Sequence, residues 1–278
     1  MRPVPDQTIL LTGATDGMGR ELARELAAQG ASLILHGRSA TKGEELLSEL
    51  RASTGNDRLS YELADFSSLE DIRKLGDRIL STHDRLDALV NNAGIGVELA
   101  RQESQDGLEL TFQVDYLAAY MLSCRLAPLL VRSAPARIVN VSSAGQAPIN
   151  FRDVMLERNW DGVQAYCQAK LAQISLTFDL AERLRGTGVT ANALHPASYM
   201  PTKMVVNLFT PQSTVEEGVH STLRMITDPA LDTVTGAYFN RTQRSRAGAQ
   251  AYDERDRARL RALSESLTGV SFPADLSG

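Results

Sequence analysis

Cysteine and lysine are both scarce in this chain. Only Cys124 and Cys167 occur among 278 residues. Both lie in helical patterns without metal-ligand spacing, so each is expected as a buried free thiol and no metal site is expected. The lysines are Lys42, Lys74, Lys170 and Lys203 alone, against abundant arginine, which gives each of them more interest. No uninterrupted apolar run reaches the roughly 18 residues that argue for a membrane span, so membrane insertion is not expected. The first residues, "MRPVPDQTILLTG", lack the charged start and apolar core of a secretory signal, and a cytoplasmic location is expected. A formal net charge of −5 argues against nucleic acid as a general partner.

What is present is a repeating alternation of strand and helix. Short apolar runs, "TILLT" (8–12), "SLILH", "RLSYEL", "LDALVNNAG", "ARIVNVSSAG", "VTANALHPA" and "TGAYF", read as about seven strands. Helical patterns stand between them: "MGRELARELAAQG" stopped by Gly30, "TKGEELLSELRAS", and "SSLEDIRKLGDRIL" with Ser67 and Glu70 at capping-box spacing. Further helices are "LELTFQVDYLAAYMLSCRLAPLLV", the stretch around "AYCQAKL", "TVEEGVHSTLRMIT", and the charged "QAYDERDRARLRALSESL", expected as a solvated surface helix. The pattern predicts one α/β domain over 1–278, a doubly wound parallel sheet with helices on both faces. A dinucleotide-binding half covers about 7–140, a catalytic and substrate-binding part about 141–240, and a helical extension about 241–278. Ligands of such sheets bind at the carboxyl ends of the strands, where the polar and glycine-rich signals fall.

"LLTGATDGMGREL" places Gly13, Gly17 and Gly19 between the first strand and first helix. Glycines there allow close approach of a pyrophosphate to the helix N-terminus, although the spacing is not G-x-G-x-x-G. After the second strand, "ILHGRSATK" offers no acidic residue for a free ribose 2′-hydroxyl, whereas Arg38 can pair a 2′-phosphate bidentately. NADP is therefore favoured over NAD, which stays open; Asp16, inside the loop, weighs against the phosphate. In "AYCQAKL" Tyr166 and Lys170 are four residues apart, on one face of a helix.

With the glycine loop, "NNAG", "VSS" and "YxxxK" in that order, residues from about 7 to 240 resemble the short-chain dehydrogenase/reductase superfamily. "AYCQAKLAQ", "ERLRGTGVTANALHP" and "GAYF" look most like its retinol-dehydrogenase-like branch. The resemblance implies that Gly13, Gly17 and Gly19 form the pyrophosphate loop with Met18 packed behind it. It implies that Asp65 takes the adenine amino group, and that Asn91, Ala93 and Gly94 line the adenosine side and hold the central strand. Ser143 would polarise a substrate carbonyl, Tyr166 would be the acid–base and Lys170 its partner. A free tyrosine has a pKa near 10, and a neighbouring ammonium favours its phenolate. Lys170 would also hold the nicotinamide ribose.

The chain departs from that pattern in three places. Asp115 stands where the family usually has asparagine, a change of charge near Lys170 that is expected to give reduced or pH-shifted activity rather than a dead enzyme. Ala197 replaces a glycine, and Thr202 follows Pro196 one residue later than usual, leaving their contacts to the nicotinamide carboxamide open. An insertion, "AGQAPINFRDVMLERNWDGVQA", separates Ser143 from Tyr166. It either roofs the substrate pocket with Trp160, Phe151 and Met155, or is a surface loop tied down by Trp160; it could also interfere with a homodimer. His195 is expected to be structural. Met204, Val205, Leu208 and Phe209, in the segment that is a substrate lid in the family, suggest an apolar substrate.

The function implied is an NADP(H)-dependent oxidoreductase moving hydride between nicotinamide and a carbonyl or secondary alcohol of a fairly apolar small molecule. Alternatives are a carbon–carbon double-bond reductase using the same residues and an NADP-sensing regulator without turnover.

Overall fold

The computed structural model describes residues 1–202 and 209–273. Eight strands form one sheet in the order β3-β2-β1-β4-β5-β6-β7-β8. These are β1 (Thr8–Leu11), β2 (Ser32–Gly37), β3 (Leu59–Leu63), β4 (Ala88–Asn91), β5 (Ala136–Val141), β6 (Val189–His195), β7 (Ala237–Asn240) and β8 (Gln243–Ser245). All neighbours are parallel except β8, which returns antiparallel along β7. This edge strand brings the count to eight rather than about seven; its three residues, "QRS", are all exposed and have no apolar alternation to announce them. β4 and β5 are buried at every position, as strands covered on both faces must be.

One face of the sheet is covered by α1 (Gly17–Ala28), α2 (Ala40–Thr54) and α7 (Val215–Thr227), whose apolar stripes pack on Leu11, Leu35, Val90 and Val139. The other is covered by α3 (Leu69–Thr82), α5 (Ala118–Arg132) and α6 (Gly162–Arg183), packed on Leu10, Leu89 and Ile138. The cap of α3 is Ser68, whose side chain accepts from Asp71 N at 3.1 Å, not the expected Ser67. Ser67 is taken up by the preceding turn, where its N–H donates to Asp65 Oδ1 at 2.9 Å.

The long apolar helix over 110–132 is not one regular rod. A first turn, α4 (Leu110–Phe112), leads into a π-helical turn, Gln113–Leu117, before α5 continues. By length and composition this rod could cross a membrane, but most of it is buried inside the protein. The last helix, α8 (Glu254–Thr268), also departs from expectation, since it is docked rather than solvated. Leu260 and Ser264 are buried against the α5 side, with Tyr116 and Ser264 hydroxyls 2.7 Å apart. Arg257 is buried on α6, where it pairs with Asp179.

Candidate active site

The chain order reverses between β1 and β4, whose carboxyl ends open side by side. β1 runs into Gly13, which has φ +68 and lies so close to β4's turn that a Cβ would sit 2.7 Å from Ala93 Cα. A Cβ on Gly19 would lie 2.1 Å from Gly13 O, so helix and loop touch at a distance only glycine permits. Asp16 caps α1 by accepting from Gly17 N at 2.9 Å, at the helix N-terminus where unpaired N–H groups favour an anion. Met18 packs behind the loop, 6% exposed, with its sulfur 3.7 Å from Thr222 Oγ1 on α7. Thr202 lies beside Gly17, and Pro196 is buried just after β6.

Gly13 is held from both sides by residues that sequence reasoning missed. Its N–H donates to His36 Nδ1 at 3.3 Å, and its carbonyl accepts from Asn92 Nδ2 at 3.1 Å. The N–H groups of Asn92 and Ala93 both donate to Thr12 Oγ1 at 3.0 Å, which fixes the "NNAG" turn to β1. The available signal for His36 was a lone histidine in an apolar strand that leads to the same crevice. Asn91, by contrast, faces the interior, donating to Asn140 Oδ1 at 2.8 Å and Ser123 Oγ at 3.1 Å. That geometry ties β4 to β5 and α5. Asp65 is half-buried after β3, with its carboxylate engaged by Ser67 N.

Arg38 is exposed just after β2. Beside the glycine loop a cleft of about 180 Å³ is lined by Thr15, Asp16, Arg20, Lys42, Glu45 and Leu46. Lys42 Nζ lies 3.7 Å from Asp16 Oδ2, so the carboxylate that weighed against a phosphate faces a cation. Tyr61 braces this corner: its hydroxyl donates to Ser39 O at 2.8 Å, and its ring fills the space a Gly43 side chain would need. Glycines without side-chain room, helix N–H groups and nearby cations together fit a phosphate-bearing dinucleotide.

Ser143 follows β5, and Tyr166 and Lys170 project from α6 toward it. Lys170 Nζ is 5.5 Å from the Tyr166 ring centroid. Burial pushes the Tyr166 phenol above its usual range, while Lys170 and a hydrogen bond with Ser143 pull it down and Asp115 pushes it up. Tyr238 on β7 braces the serine turn by donating to Ser143 O at 3.0 Å. Lys170 is 5% exposed and Asp115 1%. Their charged atoms are 3.0 Å apart, and Asp115 Oδ1 also accepts from Ile95 N at 2.7 Å. Gly94 lies close, so that a Cβ there would sit 3.2 Å from both Asp115 oxygens. Burial works against the lysine's charge, yet Asp115 and Tyr166 together raise its pKa; burial raises that of Asp115 against the pull of Lys170. Asp115 sits in the π-helical turn, a local widening of the rod.

On the substrate side, Trp160 is half-buried, and its indole N–H donates to Glu109 Oε1 at 3.4 Å. The insertion is anchored, with Ile149, Val154 and Leu156 buried. Phe151 is directed away to α8, where the Arg259 guanidinium stacks on it at 4.3 Å. Phe209 packs on Tyr199 with ring centroids 4.9 Å apart. Met204, Val205 and Leu208 lie outside the described residues. His195 Nε2 is 3.0 Å from Ser198 Oγ. Both cysteines are free, Cys124 buried and Cys167 half-buried.

Comparison with known proteins bears on this arrangement. The profile of the family described as short chain dehydrogenase matches residues 7–213. Retinol dehydrogenase 12 of Mus musculus is 34% identical over 97% of this chain and 88% of its own length. Retinol dehydrogenase 13 of Homo sapiens is 32% identical over 98% and 87%. Among solved structures, an uncharacterized protein from Mycobacterium Paratuberculosis superposes with a TM-score of 0.80 at 29% identity, covering 97% of this chain and 96% of that one. A short chain dehydrogenase from Escherichia coli CFT073, complexed with NADPH, gives 0.69 at 27% identity over 84% and 96%.

Proposed function

We propose, from the premise that the chain belongs to the short-chain dehydrogenase family on its retinol-dehydrogenase-like side, that it is an NADP(H)-dependent reductase of apolar ketones or aldehydes. Membership makes it an oxidoreductase; the cofactor preference, the substrate and the residue roles are our reading. The observation that carries it is the convergence of Ser143, Tyr166 and Lys170 at the carboxyl end of β5, on the side of the sheet where the glycine loop brings backbone close to the first helix.

Bound in the crevice, the reduced nicotinamide supplies hydride, two electrons and a proton's mass, to the carbonyl carbon. Ser143 donates a hydrogen bond to the carbonyl oxygen as negative charge grows on it. Tyr166 gives that oxygen its phenolic proton, and the remaining phenolate is stabilised by the Lys170 ammonium. Gly13, Gly17 and Gly19 admit the pyrophosphate, and Arg38 with Lys42 would take the 2′-phosphate. Two findings about other proteins support the reading: the relatives are named for retinol, an apolar alcohol, and two similar structures, from Escherichia coli and Shigella flexneri, hold NADPH and NADP.

The test is a fluorescence titration of the pure protein with NADPH and with NADH. The expected result is tight NADPH binding that weakens about tenfold, the equivalent of about 1.4 kcal/mol, in Arg38→Ala while NADH binding is little changed. Equal binding of both cofactors would remove Arg38 from the site. Binding of neither would overturn the enzymatic reading.

A further inference from the structure

The ion pair behind the reacting tyrosine has a consequence for direction. Lys170 lies between two acidic groups, the Tyr166 hydroxyl on its own helix and the Asp115 carboxylate from the π-helical turn. The carboxylate is 3.0 Å from Nζ, against 5.5 Å for the Tyr166 ring centroid, and both members of the ion pair are withdrawn from water. At that separation, in a poorly screened interior, the carboxylate offsets part of the ammonium's pull on Tyr166. The pair is built in. Asp115 is held by Ile95 N through Oδ1, Gly94 leaves it room, and Lys170 Nζ donates on its other side to Val141 O at 3.4 Å.

We propose that Asp115 is a positioning residue that offsets the Lys170 charge, strengthens the hold of Tyr166 on its proton, and so extends to higher pH the range in which this site donates a proton to a carbonyl rather than removing one from an alcohol. The inference deepens the reading of Tyr166 and Lys170 as the acid–base pair and rests on it. In reduction the Tyr166 Oη–H bond breaks and the proton passes to the carbonyl oxygen as the carbonyl carbon accepts hydride from reduced nicotinamide. Oxidation runs this backwards and needs the phenolate at the outset. A lysine without its carboxylate would favour phenolate more strongly.

Among the surrounding groups Asp115 is the charge that opposes Lys170 at Tyr166. Around Tyr166 stand Lys170 and Cys167 on α6, Ser143 after β5, Tyr238 on β7 and Asp115. Cys167 and Tyr238 are themselves held neutral by burial, the phenol pushed up to about 12. Glu109, in the turn before α4, is the other carboxylate that acts on Asp115, and it is committed to Phe112 N at 2.7 Å. In each direction the sign is the same: Asp115 holds protons on its neighbours.

Asp115→Asn keeps the shape and the acceptor for Ile95 N while removing the charge. Two measurements test the proposal. In the first, tyrosinate absorbance is titrated in the free protein, and the transition missing from Tyr166→Phe is assigned to the Tyr166–Lys170 pair. It is expected at or above the ordinary phenol range in the wild type, and lower by about one pH unit or more in Asp115→Asn, a tenfold loss of proton affinity. In the second, the alkaline rise of kcat/KM for alcohol oxidation with NADP is expected to move down by a similar interval in the variant, and the alkaline fall of carbonyl reduction to move down with it. A wild-type Tyr166 transition well below the phenol range overturns the proposal without any variant. Superposable profiles for wild type and Asp115→Asn overturn it too. Failure of the underlying acid–base reading looks different: Tyr166→Phe would then turn over as well as the wild type.

Discussion

The main-chain N–H of Gly13 donates to Nδ1 of His36 across the gap between β1 and β2. Nε2 of the same ring is 3.1 Å from the carbonyl of Ala64, and the ring stacks on Phe66 at 4.1 Å. A carbonyl can only accept, so Nε2 carries the proton and Nδ1 is the acceptor: the ring is neutral and its tautomer is set by its partners. Burial agrees, pushing the imidazole down to about 4. Gly13 is thus pinned by β2 through its N–H and by Asn92 through its carbonyl, with only the loop beyond it free to meet a phosphate.

This clamp predicts a kinetic signature. His36→Phe keeps the stack on Phe66 but removes the Gly13 acceptor. We expect the KM for NADPH to rise by about tenfold, the effect of misplacing a binding loop, with kcat nearly unchanged. His36→Gln, which can accept from Gly13, should restore part of it. Steady-state kinetics checks both. A fall in kcat with constant KM would refute the clamp.

Much of the architecture was readable because it depends on local pattern. Short apolar runs gave the parallel strands, and the spacing of Tyr166 and Lys170 placed both on one helix face. The glycine loop was legible because a side chain at Gly13 or Gly19 would collide with neighbouring backbone or a neighbouring side chain. What escaped depends on long-range partners. Nothing in "TFQVDYL" distinguishes a π turn from an α turn, and the partners of Asp115 within it, Lys170 and Ile95, are distant in the chain. Ser67 and Ser68 both fit a cap, and Asp65 decided between them by binding Ser67 N. The charges of α8 hid a buried arginine, because its partner Asp179 is 78 residues away in the chain.

That arginine supports a prediction about stability. Arg257 Nε donates to Asp179 Oδ1 and Nη2 to Glu182 Oε1, each at 2.7 Å, while Arg261 holds Asp179 Oδ2 at 2.7 Å. Asp179 is 7% exposed, and burial already pushes its pKa up against the pull of these arginines. Arg257→Met leaves the carboxylate with one partner and should cost about 3 kcal/mol in urea denaturation. Adding Asp179→Leu removes the stranded charge and should return most of that loss. If the double variant is as unstable as the sum of the single ones, the cost lies in packing of the arginine stem instead.

Acid should weaken the fold before most carboxylates titrate, through two buried histidines. His36 and His195 are each pushed down to about 4, His36 by burial and His195 by burial and then the nearby Arg241 cation. In the unfolded chain each titrates near 6.5. Between those values the unfolded state binds more protons than the folded one, so stability rises with pH across the window. The contribution is fully present above about pH 6.5 and is lost as pH falls toward 4, amounting to about 2 kcal/mol for each ring by about pH 5. The urea midpoint should therefore drop steeply between about pH 6.5 and 5. His195→Asn should make the slope shallower by about half, because of the two buried rings His36 alone then contributes to it. A variant with the wild-type slope would refute this account, because carboxylates held below their usual range, such as Asp232, lose their contribution only below about pH 5.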